Sequence, residues 1–213
     1  MVEIKICGIT KFLEIQYINI LKPDYIGFVF TESKRRISKE QALKLSNELD
    51  PNVKKVAVFR KNSIDDILDV INTVPIDIVQ LHGEENSQYI KILQNKLKIN
   101  IDIWKAIGVN SDTKNKNYNS YDVQALVLDN VIAGSGQSFQ WKMIKDCNFN
   151  KSIFLAGGIN EENVLQGIEA IKPRGIDVSS GVELINENGE RMKSFNKMEN
   201  LIRKVRGNYE GKI

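Results

Sequence analysis

The sequence is short of the residues that build metal clusters, disulfide frameworks and rigid turns. Its 213 residues include one histidine, two cysteines and four prolines. Cys7 and Cys147 are too few for a disulfide framework, and a reducing compartment would keep them as thiols. Together with His82 they cannot assemble a zinc cluster, so no metal is expected. No apolar run reaches the roughly 20 residues that a helical membrane span requires. Charge of one sign is also missing. Thirty Lys and Arg stand against 27 Asp and Glu, a net charge of +3, and the two signs are interleaved. No basic stripe therefore speaks for nucleic acid. Residues 1–6 begin directly in a strand-like pattern, without the basic region and cleavage site of a secretory signal, so a cytoplasmic location is expected. With 42% hydrophobic and 27% charged residues, the composition is that of an ordinary soluble chain, and its length suffices for a full core.

What is present is an alternation. Short β-branched runs at residues 3–7, 25–30, 54–59, 76–81, 101–106, 125–129, 152–156 and 175–179 alternate with amphipathic stretches. The stretches cover 11–21, 38–49, 63–74, 86–97, 111–121, 141–146, 161–171 and 194–206. Ser38 with Gln41 reads as a capping box. The stretch at 111–121 is the weakest helix, rich in Asn, Lys and Asp. Several runs, such as Val56-Ala57-Val58-Phe59 and Leu126-Val127-Leu128, are apolar on both faces, as parallel strands covered by helices are. Eight such units with short connections predict an α/β fold, a single (β/α)8 TIM barrel over residues 1–213. An open doubly wound sheet is the architectural alternative.

In such a barrel the active site lies at the C-terminal ends of the strands. That rule selects Cys7, Arg35, His82, Lys105, Asp129, and Asp177 with Ser179 and Ser180. Glycines follow several of them: Gly8, Gly83, Gly134, Gly136, Gly157, Gly158 and Gly181. Glycines let backbone N–H groups approach an anion closely. A glycine pair after the seventh run and Ser-Ser-Gly after the eighth lie where barrels commonly hold phosphate. The residues alone thus indicate a phosphate-binding barrel and leave the reaction open.

Six segments carry a resemblance: KICGIT (5–10), GFVF with SKRRIS (27–30 and 33–38), VQLHGEE (79–85), LVLD with GSGQSFQW (126–129 and 134–141), LAGGINEENV (155–164) and DVSSGVE (177–183). In this order, and over nearly the whole chain, they resemble the phosphoribosylanthranilate isomerase family. The resemblance implies an Amadori rearrangement of N-(5-phosphoribosyl)anthranilate to 1-(o-carboxyphenylamino)-1-deoxyribulose 5-phosphate in tryptophan synthesis. It also implies that no cofactor is needed, because the substrate's own nitrogen serves as electron sink. Cys7 matches the family's general base, which would require the site to favour the thiolate. Without the resemblance it reads as a small buried apolar residue. Asp129 matches the general acid, and otherwise reads as a cap for the loop at Gly134.

Arg35 matches the residue that grips the anthranilate carboxylate, a role suited to the guanidinium fork. Otherwise it is one charge of the solvated run Lys34-Arg35-Arg36. Gly157, Gly158, Ser180 and Gly181 are expected to bind phosphate through backbone N–H groups and the hydroxyl, or else serve as turn residues. Gln80, His82 and Asp177 read equally as substrate-lining groups and as structural hydrogen-bonding groups. Cys147 and Met192 read as structural. The partner is a small phosphosugar, with monomer and homodimer both open.

Departures from the family pattern occur at Thr31 and Glu32, at Gln137 and Gln140, and at residues 189–192; Glu32 adds negative charge near a site for a dianion. Competing readings are a ribulose-phosphate epimerase, for which one histidine is too few, and an indole-glycerol-phosphate synthase, for which Lys105 with Glu183 is the available lysine–carboxylate pair. A barrel that only binds a partner would not need both Cys7 and Asp129.

Overall fold

The structure is a computed structural model that describes residues 1–97, 100–115, 117–130, 141–144, 147–187 and 189–210. Eight parallel strands close a barrel in chain order. They are β1 (Glu3–Cys7), β2 (Tyr25–Val29), β3 (Lys54–Phe59), β4 (Ile78–Leu81), β5 (Asp102–Val109), β6 (Ala125–Asn130), β7 (Ser152–Leu155) and β8 (Gly175–Val178). The ring closes between the first strand and the last, with Lys5 beside Asp177. Outside it lie α1 (Phe12–Leu21), α2 (Lys39–Asn47), α3 (Ile64–Thr73), α4 (Ser87–Lys96), α5 (Val164–Ile171) and α6 (Phe195–Glu210).

Strands β2, β4 and β8 are buried at every position, because one face meets the helices and the other fills the barrel. The outer layer includes Ile4, Ile6, Phe28, Ala57, Leu81 and Leu126. The inner layer holds Tyr25, Val58, Trp104, Val127 and Phe154. Trp104 lies 4.2 Å from Phe154 by ring centroids, and Tyr25 meets both edge-on at 5.1 and 5.6 Å, so three rings form an apolar floor. Gly175 clears room for that floor, since a Cβ there would run into the Phe154 ring.

Local chemistry sets the helix starts. Ser63 and Asp66 cap α3 reciprocally, and the Asn86 side chain accepts from Tyr89 N at the start of α4. At α2 the anticipated box is only half formed. Ser38 Oγ accepts from Gln41 N at 3.2 Å, but the Gln41 amide donates to Thr10 O at 2.7 Å instead of reaching back. At α1 the buried Glu14 does more than cap. Its Oε2 accepts from the N–H groups of Thr10 and Lys11, and its Oε1 accepts from Lys193 N at 2.7 Å.

Two expected helices are replaced. In place of the helix expected at 111–121 there are 3₁₀ turns at Ser111–Asn115 and Tyr118–Ser120, with 116 outside the described residues. Asn110 and Asn117 accept there from backbone N–H groups two residues on, an alternative to helical pairing. The stretch expected at 141–146 is a 3₁₀ turn at Trp141–Met143, with 145 and 146 outside the described residues. Helix α5 starts at Val164, not 161, because Asn160 accepts from the N–H groups of Glu162 and Asn163 and holds them in a turn. After β8 comes a hairpin that the sequence pattern did not announce, β9 (Glu183–Ile185) paired with β10 (Arg191–Lys193).

Glu183 ties this hairpin to the barrel. Its carboxylate takes Arg35 on both oxygens at 2.6 and 2.7 Å, Lys193 at 2.8 Å and Arg191 at 2.8 Å. Burial works against the charge. The Arg35 hydrogen bonds and the neighbouring Lys193 and Arg191 outweigh it and hold Glu183 at about 2. The unfolded chain carries this carboxyl near the ordinary value of about 4.5. The folded state is therefore favoured above that value, and the advantage disappears as pH falls toward 2, with a magnitude of roughly 3 kcal/mol. Urea melts from pH 6 down to pH 2.5 should show this loss in the parent protein. Glu183→Gln should start less stable and show a correspondingly flatter acid limb. An unchanged acid limb in Glu183→Gln would assign the acid sensitivity to other carboxylates.

Candidate active site

At the C-terminal ends of the strands lies an open cleft of about 180 Å³. Its wall includes Cys7, Arg35, Gln80, His82, Asp129 and Asp177, together with Gly157, Gly158, Ser179 and Ser180. Nine of the ten expected site residues thus share one wall. The tenth, Gly181, sits directly behind it, where a Cβ would overlap Ile159 O. Strand periodicity explains the assembly, because every second residue points inward. Lys5 and Cys7 share the inner face of β1. Gln80 and His82 do the same at the end of β4, and Asp129 and Asp177 face inward from β6 and β8.

Cys7 is partly buried at the rim of the inner layer. Gly27 on β2 makes its place, for a Cβ there would lie 2.6 Å from Sγ. Ser179 Oγ donates to Cys7 O at 2.9 Å and binds β8 to β1 at this point. Burial pushes the thiol above its ordinary value; the ammonium groups of Lys5 and Lys193 pull the other way without prevailing. Desolvation of an anion in the barrel exceeds the help of nearby cations.

Asp129 ends in a different setting. Its Oδ2 lies 3.2 Å from His82 Nε2, and its Oδ1 accepts from Asn130 N at 2.7 Å. Gly157, with φ of +74°, brings the loop after β7 against this carboxylate. A Cβ on Gly157 would meet Asn130 N at 2.8 Å and Asp129 Oδ1 at 3.0 Å. On the far side of His82, Nδ1 lies 3.1 Å from Gln80 Nε2. Gln80 Oε1 accepts from Lys5 Nζ at 2.8 Å, and Lys5 Nζ also meets Asp177 Oδ2 at 2.7 Å. Burial opposes the Lys5 charge, but Asp177 and Cys7 outweigh it and raise its pKa above the ordinary ammonium value. Asp177 Oδ1, in contrast, is buried and has no hydrogen-bond partner among the described residues.

Arg35 reaches the cleft from the loop after β2. Gly8, at φ +85°, allows it, because a Cβ there would overlap the Arg35 stem. Glu183 holds Nε and Nη2 of the guanidinium. Arg36 is exposed and outside the cleft.

Two sequence expectations separate in space. Lys105 does not meet Glu183. It is buried in β5 against Glu85 at 3.1 Å and Gly83 O at 2.6 Å, so the lysine–carboxylate pair of the synthase reading is not assembled. Cys147 packs against the outer core away from the cleft. Gly134, Gly136, Gln137 and Gln140 lie outside the described residues. Thr31 and Glu32 do line the cleft, as the departures suggested. Lys5 and Glu183 organise the site, and the sequence reading assigned neither this part. For Lys5 a signal existed, since it stands two residues before Cys7 on the same strand face. Among the described residues, no group of three or more His, Cys, Asp or Glu is placed to hold a metal ion. No helix among them is long and apolar enough to cross a membrane.

Known proteins resemble this chain in sequence and in fold. A model of the N-(5'-phosphoribosyl)anthranilate (PRA) isomerase family matches residues 4–204. The protein of that name from Clostridium beijerinckii is 45% identical over 97% of this chain and 98% of its own. The one from Thermoanaerobacter pseudethanolicus is 40% identical over 97% and 99%. Among solved structures, the Thermotoga maritima phosphoribosyl anthranilate isomerase superposes with a TM-score of 0.83 at 34% identity, covering 97% of this chain and 100% of that one. Another phosphoribosyl anthranilate isomerase structure, solved with reduced 1-(o-carboxyphenylamino)-1-deoxyribulose 5-phosphate, superposes with a TM-score of 0.80 at 34% identity over 97% and 100%. Because the family model spans nearly the whole barrel, and relatives well above 30% identity cover almost the full chain, the chain belongs to the N-(5'-phosphoribosyl)anthranilate isomerase family.

Proposed function

We propose that this chain converts N-(5-phosphoribosyl)anthranilate to 1-(o-carboxyphenylamino)-1-deoxyribulose 5-phosphate in tryptophan biosynthesis, with Cys7 as general base and Asp129 as general acid. One observation carries the reading. A thiol on β1 and a carboxyl on β6 line a single cleft, one on each side of the glycine-lined β7–β8 corner. The reaction needs two proton-transfer groups on separate parts of one sugar. Protonation of the ring oxygen opens the furanose to a Schiff base, and removal of the C2 proton then gives an enolamine that tautomerises to the ketone.

The loops after β7 and β8 supply the phosphate end. Gly157 and Gly158 both have positive φ, and Ser180 begins the short turn Ser180–Val182 beside them. Successive N–H groups in such turns form anion-binding hollows. With phosphate there, the ribose lies between Cys7 and Asp129, and the anthranilate ring extends toward Val29, Val58 and Arg35. The solved relative with the reduced product analogue supports a ligand of this class. Gln80, His82 and Asp177 complete the wall around the sugar.

Burial raises the pKa of the Cys7 thiol, and Asp129 Oδ1 accepts from Asn130 N while Oδ2 lies 3.2 Å from His82 Nε2. Reaction needs a bare sulfur and a protonated carboxyl. Lys5 stands ready beside the thiolate as it forms. Neither step calls on a metal or a redox group, so a cytoplasmic enzyme of this kind works as purified.

The decisive experiment is complementation of a tryptophan auxotroph that lacks the isomerase, followed by assay of variants. The parent gene should restore growth. Cys7→Ala and Asp129→Asn should each lower turnover by at least ~10²–10⁴, the usual contribution of a general base or acid. Cys147→Ala should stay within a few-fold of the parent. Near-normal turnover in Cys7→Ala would exclude the thiol as base. Loss of product-analogue binding with retained turnover in Asp129→Asn would make Asp129 a grip on substrate and not the acid.

A paired substitution tests the carboxylate site. Losing a charge-assisted hydrogen bond costs roughly 1.5–3 kcal/mol, about one to two powers of ten in affinity. Arg35→Met should raise KM by that factor where KM follows binding. Arg36→Met should change it little, because its charge is exposed. A larger defect in Arg36→Met would shift the carboxylate-binding position by one residue.

A further inference from the structure

The polar groups inside the barrel form one continuous chain. From Asp177 it runs through Lys5 and Gln80 to His82, and from there to Asp129. Each link admits one donor assignment, starting from the lysine. An ammonium has three donors and no acceptor. It lies 2.8 Å from one end of the Gln80 amide, so that end is the carbonyl oxygen. The NH₂ group is then the end 3.1 Å from His82 Nδ1, and an amide NH₂ only donates. Nδ1 must therefore be the bare, accepting nitrogen. A neutral imidazole with a bare Nδ1 carries its hydrogen on Nε2, and Nε2 faces Asp129 Oδ2 at 3.2 Å.

We propose that Lys5, acting through Gln80, fixes the protein's one histidine as the Nε2–H tautomer, and that the three residues together hold the Asp129 carboxyl in its working orientation. Lys5 and Gln80 are positioning residues here, acting on Asp129 through His82. Burial makes the assignment rigid. Lys5 is 0% exposed and Gln80 1% exposed, so water does not stand in for either partner. Asp177 keeps the lysine side of the chain anchored at 2.7 Å. Oδ2 lies 3.2 Å from His82 Nε2 and Oδ1 accepts from Asn130 N, so each end of the carboxyl has a polar neighbour. Without the Gln80 donor, the ring hydrogen is free to sit on Nδ1. Nε2 would then present a lone pair to Oδ2, and the carboxyl would lose one of its two supports.

The tautomer can be read on the protein alone. The effect on turnover rests on Asp129 acting as the acid, as proposed above. A single histidine makes the measurement clean, because ¹⁵N-histidine labelling gives one ring to read. At a pH where the ring is neutral, the parent spectrum should show a protonated Nε2 and a bare Nδ1. Gln80→Met should give a mixture of both tautomers. It should also lower kcat by about tenfold, the worth of one lost hydrogen bond, with KM within a few-fold. Gln80→Glu keeps the contact with Lys5 but presents an acceptor to the ring, so Nδ1 should become protonated. Lys5→Met should move the tautomer in the same direction as Gln80→Met. Should that variant not fold, the parent spectrum and the two Gln80 variants still decide.

A bare Nε2 in the parent, or an Nε2–H tautomer that persists in both Gln80 variants, would overturn the proposal. The expected spectra with normal turnover in Asp129→Asn would leave the tautomer lock standing and remove the acid assignment.

Discussion

The ammonium of Lys5 has no route to water, and a charge in that position must find its compensation within the protein. Asp177 neutralises it from β8, Gln80 accepts from it on β4, and the Cys7 sulfur lies beside it on β1. One buried cation thus sets the positions of side chains from three strands. Desolvating a lysine costs several kcal/mol, and packed hydrocarbon would fill the same volume without that cost. The floor below it shows the alternative, since Tyr25, Trp104 and Phe154 close the barrel with rings. The polar layer sits only where the cleft begins. That placement fits an arrangement kept for chemistry and not for stability.

A second cluster balances the first from the rim. Glu183 gathers Arg35, Arg191 and Lys193, so three cations surround one carboxylate next to the cleft. The excess of positive charge favours anions at this rim, and Glu32, on the same loop as Arg35, offsets part of it. The same carboxylate restrains the guanidinium at Nε and Nη2, which aligns the fork before any ligand arrives. Gly8 and Gly27 serve these two groups in turn, one clearing the Arg35 stem and the other the Cys7 sulfur.

The barrel was legible because several of its strands are apolar on both faces and α2, α3 and α4 begin at Ser or Asn caps. Strand ends were placed within a few residues throughout. The stretches at 111–121 and 161–163 misled because Asn side chains there bind local backbone and compete with helix, an effect that periodicity does not register. The site residues were legible because strand alternation and the family's motifs agree on them. Lys5 and Glu183 were missed for one reason. Their importance comes from partners far along the chain: Asp177 is 172 positions from Lys5, and Arg35 is 148 positions from Glu183. The β9–β10 hairpin escaped notice because strands of three residues are too short to show alternation.

Most of the ties that complete the site run between the two ends of the barrel. Lys5 meets Asp177, Ser179 meets the Cys7 carbonyl, and Lys193 meets Glu14, over separations of 172, 172 and 179 residues. A growing chain that has not yet delivered β8 and its hairpin has an unneutralised lysine in its first strand, and β1 and β7 are left as open sheet edges. Such a nascent chain is at its most prone to association with others. It also has no organised site, however much of the barrel has formed. Competence therefore waits for β8 and its hairpin, and a ribosome that stalls before residue 175 releases no partly active barrel.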